Sequence, residues 1–167
     1  MFGFLKRLLG SGSGQSSTKR EPSAEREWFS WKADDYPPSA PEGFVKLSGT
    51  TDISVAGTSY RLDDCRTLLS ALKGKRVDQE AILLIREENN PDHPNAIRVV
   101  AKLSHKEVHI GYLPRDINDM IAQKFSRDMP LKASLREWGK KKTDDAVFFR
   151  LTVFVPNAKE RRKFGGK

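Results

Sequence analysis

A chain of 167 residues, 37% hydrophobic and 31% charged, suits one modest globular core with polar extensions. Its single cysteine, Cys65, excludes an intrachain disulfide, and no apolar run approaches the roughly 20 residues of a spanning helix. The net charge of +8 favours polyanionic partners over cationic ones.

That charge is uneven. Residues 157–167 hold five basic side chains and one acidic one, whereas residues 42–156 hold 19 and 16. The C-terminal stretch 157–167 therefore reads as a basic disordered tail that adds salt-sensitive attraction for phosphates or solubility. At the other end, Met1 to Leu9 has the outline of a secretion signal, but Lys6-Arg7 breaks its apolar stretch and no small-residue cleavage site follows. The expectation is a cytoplasmic protein with no membrane partner.

In chain order, residues 1–9 suit a short amphipathic helix with Phe4, Leu5, Leu8 and Leu9 on one face, too short to be stable without a partner. Residues 1–41 as a whole read as a flexible segment and linker. Gly10-Ser11-Gly12-Ser13-Gly14 supplies the flexibility, and Pro37-Pro38 with Pro41 stiffens the far end. Trp28, Phe29, Trp31 and Tyr36 are too many aromatics for a pure linker, so this part is expected to fold back on the domain.

The compact domain is expected over 42–156. Val45 and Leu47, then Ile53 and Val55, alternate in the period of a half-buried strand. Asp63-Asp64 can cap a helix running to about Leu72, with Leu68, Leu69 and Leu72 on one face and Gly74 as a stop. Ala81 to Ile85 is a short strand followed by the polar loop 87–95. Ile97 to Leu103 and Val108 to Tyr112 are two further strands. Pro114 fits the first turn of a second helix, whose apolar face is Ile117, Met120, Ile121 and Phe125. Leu131 to Trp138 and Val147 to Val155 close the domain, with Lys140-Lys141-Lys142 and Asp144-Asp145 between them. Six or seven short strands with two helices predict a mainly β, α+β fold, a small OB-like or Greek-key β-barrel. Such barrels commonly bind oligonucleotides on one face.

No catalytic constellation is visible. There is no Walker-type loop, no Gly-x-Ser-x-Gly elbow and no His-Glu-x-x-His helix. His105 and His109 fall in a turn and strand, and neither Cys65 nor His93 completes a zinc spacing. The expectation is therefore no enzyme, no metal and no cofactor. A hydrolase would need the adjacent Asp92 and His93 to converge on one substrate atom, which neighbouring residues rarely do.

Three motifs stand out: Val55 to Arg61, with Gly57; Asn89-Asn90-Pro91-Asp92-His93-Pro94-Asn95-Ala96-Ile97; and Ile110-Gly111-Tyr112-Leu113-Pro114-Arg115. Each sets a polar or glycine-bearing turn beside an apolar strand, where binding residues usually sit. In this order they resemble the HIRAN domain, a small β-barrel module that in some DNA-repair helicases grips the end of single-stranded DNA. The resemblance covers roughly residues 50–155 and suggests a stand-alone small protein of a bacterial or phage kind.

The resemblance implies a site. Tyr60 takes the place of an aromatic that stacks on a terminal base, flanked by Ser59, where a basic residue is common, and by Arg61. The family loop commonly reads Asn-Pro-Tyr-Asp-x-Asn-Ala-Ile, its tyrosine and aspartate holding the terminal sugar hydroxyl; here Asp92-His93 stand there, between Asn90 and Asn95. Asp92 can accept from a hydroxyl and would repel a continuing phosphate, and His93 can stack or donate. Asn residues in such a loop also organise turns by bonding to the backbone. Tyr112 and Arg115 match a ring and a cation near the nucleic acid, with Arg115 at a helix start that favours phosphate. Trp138 matches an aromatic that can complete a base sandwich, or is core. The implied function is recognition of single-stranded DNA, at its 3′-hydroxyl end, beside a helicase, nuclease or other repair protein. The alternative is a protein-interaction adaptor in a repair or phage complex, which suits the near-balanced charge of the domain.

Overall fold

The computed structural model describes residues 28–33, 39–50, 52–73, 81–142 and 144–165. The helix expected over 1–9, the Gly-Ser stretch, Tyr36 and the Gly74 stop lie outside them. The elements are β1 (Trp28–Lys32), β2 (Phe44–Lys46), β3 (Ile53–Ser54), a 3-10 turn (Thr58–Arg61), α1 (Leu62–Leu72), β4 (Ile82–Arg86), β5 (Ile97–Lys102), β6 (Glu107–Tyr112), α2 (Arg115–Lys124), β7 (Lys132–Lys141), β8 (Val147–Pro156) and α3 (Ala158–Lys163). The fold is mainly β with three short helices, consistent with an OB-like fold. The described residues form eight strands where six or seven were expected, and three α-helices where two were.

The spine is the hairpin of β7 and β8, each ten residues long. Shorter strands attach along its margins, every pairing antiparallel. β8 takes β2 opposite Phe154–Pro156 and β3 opposite Arg150–Leu151. β7 takes β4 at Ala133 and β1 along Glu137–Lys141. The path then runs β4–β5–β6. At Ala56, just beyond β3, the chain meets Tyr112 of β6 in an isolated bridge, so the two margins of the sheet are tied at this point. Phe149, Leu151, Val153, Ile97, Val99 and Ile110 fill the interior.

Local chemistry explains most of the helices. α1 buries Cys65, Leu68 and Leu72, spaced three and four apart, and carries Asp63 and Asp64 in its first turn, where they favour the helix dipole. The capping position belongs to Arg61, which makes no side-chain cap bond, so the two aspartates lie inside the helix rather than capping it. Pro114 occupies the capping position of α2, one place earlier than its sequence position suggested. Lys140 and Lys141 belong to β7, so the break before β8 is shorter than the run of lysines implied.

Two further readings are corrected. The segment 157–167 does not begin as a disordered tail: Asn157 accepts the Glu160 amide at 3.0 Å and starts α3. The basic residues Arg161, Arg162 and Lys163 then fall in its last turn, where cations favour the dipole. At the other end, residues 28–32 of the supposed linker form β1 on the edge of β7, the folding back that the aromatics suggested.

The tie between Ala56 and Tyr112 depends on Gly111, whose φ is 143°. A Cβ at this position would run into the Ala56 carbonyl oxygen and the Val55 side chain. Gly111→Ala should therefore lower stability by about 3 kcal/mol, through overpacking and an unfavoured φ, measured by urea unfolding. A change within about 0.5 kcal/mol, ordinary for a surface position, would show that the approach can relax.

Candidate nucleic-acid interface

The loop between β4 and β5 is built around one side chain. Asn90 Oδ1 accepts the amides of Asp92 and His93 at 2.9 and 3.0 Å, and its Nδ2 donates to Glu87 Oε2 at 2.7 Å. Both polar ends of Asn90 are thereby used inside the loop, which makes it an organiser rather than a ligand. Asn95 is also engaged, donating to Asp119 Oδ1 of α2 at 3.0 Å, and His93 Nε2 lies 3.5 Å from the same oxygen. Arg115 and Arg127 close the clamp by donating to the carbonyls of Asp92 at 3.4 Å and Pro94 at 3.0 Å. The loop is thus held against α2, with the Asp92 residue itself exposed.

The aromatic turn lies across the bridge. Gly57, at φ 78°, leads into the 3-10 turn, and Thr58 Oγ1 donates to the Val147 carbonyl at 3.0 Å. The Tyr60 ring is left 91% exposed, and Ser59 and Arg61 beside it are exposed too. Ala56 and Tyr112 exchange hydrogen bonds of 2.8 and 2.9 Å. The turn carrying Tyr60 is therefore joined to the strand carrying Tyr112 through rigid backbone.

β6 brings in a residue the sequence reading used only as a metal candidate. A register shift between Val99 and Val100 leaves Val99 opposite Gly111 and Val100 opposite His109. The extra residue, Ile110, reverses the strand's alternation. His109 and Tyr112, three apart, consequently share a face, with ring centroids 4.9 Å apart and planes at 79°. Arg98 of β5 pairs with Tyr112 in the ladder and so stands on this face as well. His109 Nε2 donates to the Gly111 carbonyl at 2.9 Å. Burial first, then Arg61 and Arg98, hold its pKa below the usual imidazole value.

Trp138 is placed apart from these residues. It is 7% exposed, a member of the core, with Trp31 of β1 and Phe149 of β8 as its ladder neighbours. It lines a hollow against α1 to which none of the other nine candidates contributes. The base-sandwich role is therefore withdrawn in favour of packing, since tryptophan supplies large buried area. Cys65 is buried near the Ile110 and Thr58 carbonyls, and burial and Asp64 push its thiol up to about 12, so it is a poor nucleophile. Among the described residues, no three His, Cys, Asp or Glu side chains gather as metal ligands would. No described helix is long and apolar enough to cross a membrane.

A small OB-like sheet with a pinned polar loop, exposed tyrosine and arginines on neighbouring turns defines a binding module for an extended polyanion. The HIRAN domain family model matches residues 48–150, and the chain belongs to that family. The chain has no match among curated proteins or among solved structures. The HIRAN domain is a single-stranded-DNA-binding module, which makes nucleic-acid binding the function class of this chain.

Two outcomes follow from the geometry. Asn90→Ala removes the organiser of the loop and should lower stability by about 1–2 kcal/mol in chemical unfolding; an unchanged midpoint would mean that the α2 clamp alone shapes the loop. The lowered pKa of His109 means that the unfolded chain binds this proton more readily. Stability should then be full above the ordinary imidazole value and fall as pH drops below it. Melting temperatures between pH 7.5 and 5.0 should show that fall, and His109→Gln should reduce it.

Proposed function

We propose that this chain is a non-catalytic module of the cytoplasm that binds the 3′-hydroxyl end of single-stranded DNA. The observation that carries the reading is Tyr60, 91% exposed on a turn anchored through Thr58 and Ala56 just before it. A large ring held in water on a rigid mount serves no packing purpose, but offers a stacking surface worth roughly 1–3 kcal/mol per base. Tyr112, half-buried and braced by His109, offers a second surface across the bridge.

Arg61, Arg98 and Arg115 supply positive charge around these rings. Arg98 is 3.6 Å from Glu87, and Arg115 touches the loop only through a long bond to a carbonyl, so both remain available to phosphate. Asp92 provides the end selectivity: its carboxylate accepts from a terminal hydroxyl and repels a further phosphate. The His93 ring, drawn toward Asp119, shapes the loop behind it. Ser59 adds a small polar group beside the stacking ring and leaves room for the terminal nucleotide. Such a module would serve a helicase, a nuclease or another repair protein that acts on free ends.

Fluorescence anisotropy with short single strands ending in a 3′-hydroxyl or a 3′-phosphate tests this directly. The hydroxyl end should bind more tightly, Asp92→Asn should narrow the difference, and Tyr60→Ala should weaken binding by about tenfold or more. Equal affinity for the two ends would reduce the protein to a general single-strand binder. Binding that persists unchanged in high salt would favour the adaptor reading, because phosphate contacts weaken steeply with salt.

A further inference from the structure

The hollow beside Trp138 is not used by the strand-end site. It lies between β1 and α1, with a volume of about 420 Å³. Its sheet side is formed by two ladder neighbours, Trp138 of β7 at 7% exposure and Trp31 of β1 at 49%. Leu69 and Leu72 of α1 form the opposite side, and Arg66, Lys73 and Lys140 stand around it.

Two features point to a nucleic acid rather than an apolar peptide. Trp31 is one of a pair: Phe29, two residues earlier and on the same side of β1, is 55% exposed, with Lys142 Nζ 4.9 Å from its ring centroid. Aromatic rings interleaved with cations are the composition of single-strand platforms. The cations are also available. Arg66 is held by Asp63 and Asp145 at 3.4 and 3.2 Å, and Lys140 by Asp145, in solvent-exposed pairs of the kind that contribute little. Lys73 has no ion-pair partner among the described residues.

The hollow is also within reach. Tyr60 lies in the turn that leads into α1, one residue short of it, and Lys73 immediately follows the helix. Eleven helical residues at 1.5 Å each separate them by about 16 Å, the length of about five stacked nucleotides at 3.4 Å and fewer when the strand is extended.

We propose that this hollow is a second nucleic-acid subsite, in which a base of the bound single strand, a few nucleotides from its end, stacks on Trp31 while Lys73 and Arg66 hold the adjoining phosphates. The inference rests on the strand-end reading above and deepens it. One strand would run along α1 from Tyr60 to Trp31, and affinity would grow with strand length.

The test compares a trideoxythymidylate with an octadeoxythymidylate, both with free 3′-hydroxyls, on the full chain. The parent should bind the longer strand about tenfold more tightly. Trp31→Ala should abolish that advantage while leaving the trimer's affinity unchanged, and Tyr60→Ala should weaken both lengths. Lys73→Glu, at an exposed position that does not support the core, should reduce the advantage in the same way and decides the matter should Trp31→Ala disturb folding. A length advantage that survives both substitutions would overturn the subsite, as would equal affinity of the parent for the two strands. Failure of the parent to bind either strand would instead remove the strand-end reading, and the subsite with it.

Discussion

Two hydrogen bonds between Ala56 and Tyr112 hold this molecule's functional side in register. They join the end of β3, which belongs to the β7–β8 hairpin, to β6, which lies at the far margin of the sheet. Tyr60 and Tyr112 stand on opposite sides of that join. The approach is close enough that Gly111 alone among residue types fits without displacement, because any Cβ would meet the Ala56 carbonyl. A glycine here is therefore a requirement of distance between two backbones, and only secondarily one of turn geometry.

The second half of the site obeys a different constraint. The loop after β4 has no strand to pair with, so its backbone groups find side chains. Asn90 satisfies two amides, and Arg115 at the start of α2 and Arg127 just beyond its end reach two carbonyls. This arrangement divides the loop's residues by task. Asn90 and Asn95 hold shape, His93 leans on Asp119, and Asp92 is left facing outward. A rigid frame around one free carboxylate suits discrimination better than strength, because a preorganised group loses little entropy on meeting its partner.

Much of this was legible in the sequence. Alternation at Ile53 and Val55, the apolar spacing of Leu68 and Leu72, and the Gly-Tyr-Leu-Pro turn all report local physics, and the strands and helices they mark are present. What the sequence hid was non-local. The pairing of His109 with Tyr112 needs the bulge at Ile110, because regular alternation puts residues three apart on opposite faces. Trp138 carries no local mark that separates a stacking ring from a core ring; its burial follows from β1 and α1 closing over it. The basic C-terminal residues read as a tail because charge density signals disorder, yet one Asn157 cap suffices to start a helix there. The aromatics at 28–31 were informative because their composition was wrong for the linker around them.

The anchoring of the aromatic turn also sets a schedule for assembly. Thr58 is fastened to Val147, 89 residues further along the chain, and Val55 to Phe149. Neither anchor exists until the last strand has been made. During synthesis, the segment carrying Tyr60 leaves the ribosome early and waits, unfastened, for almost the whole domain to follow. Contacts of such long sequence separation slow folding, so the turn is not fastened until β8 is in place. A product cut short before Val147 would carry all three motifs and still lack the surface that they form.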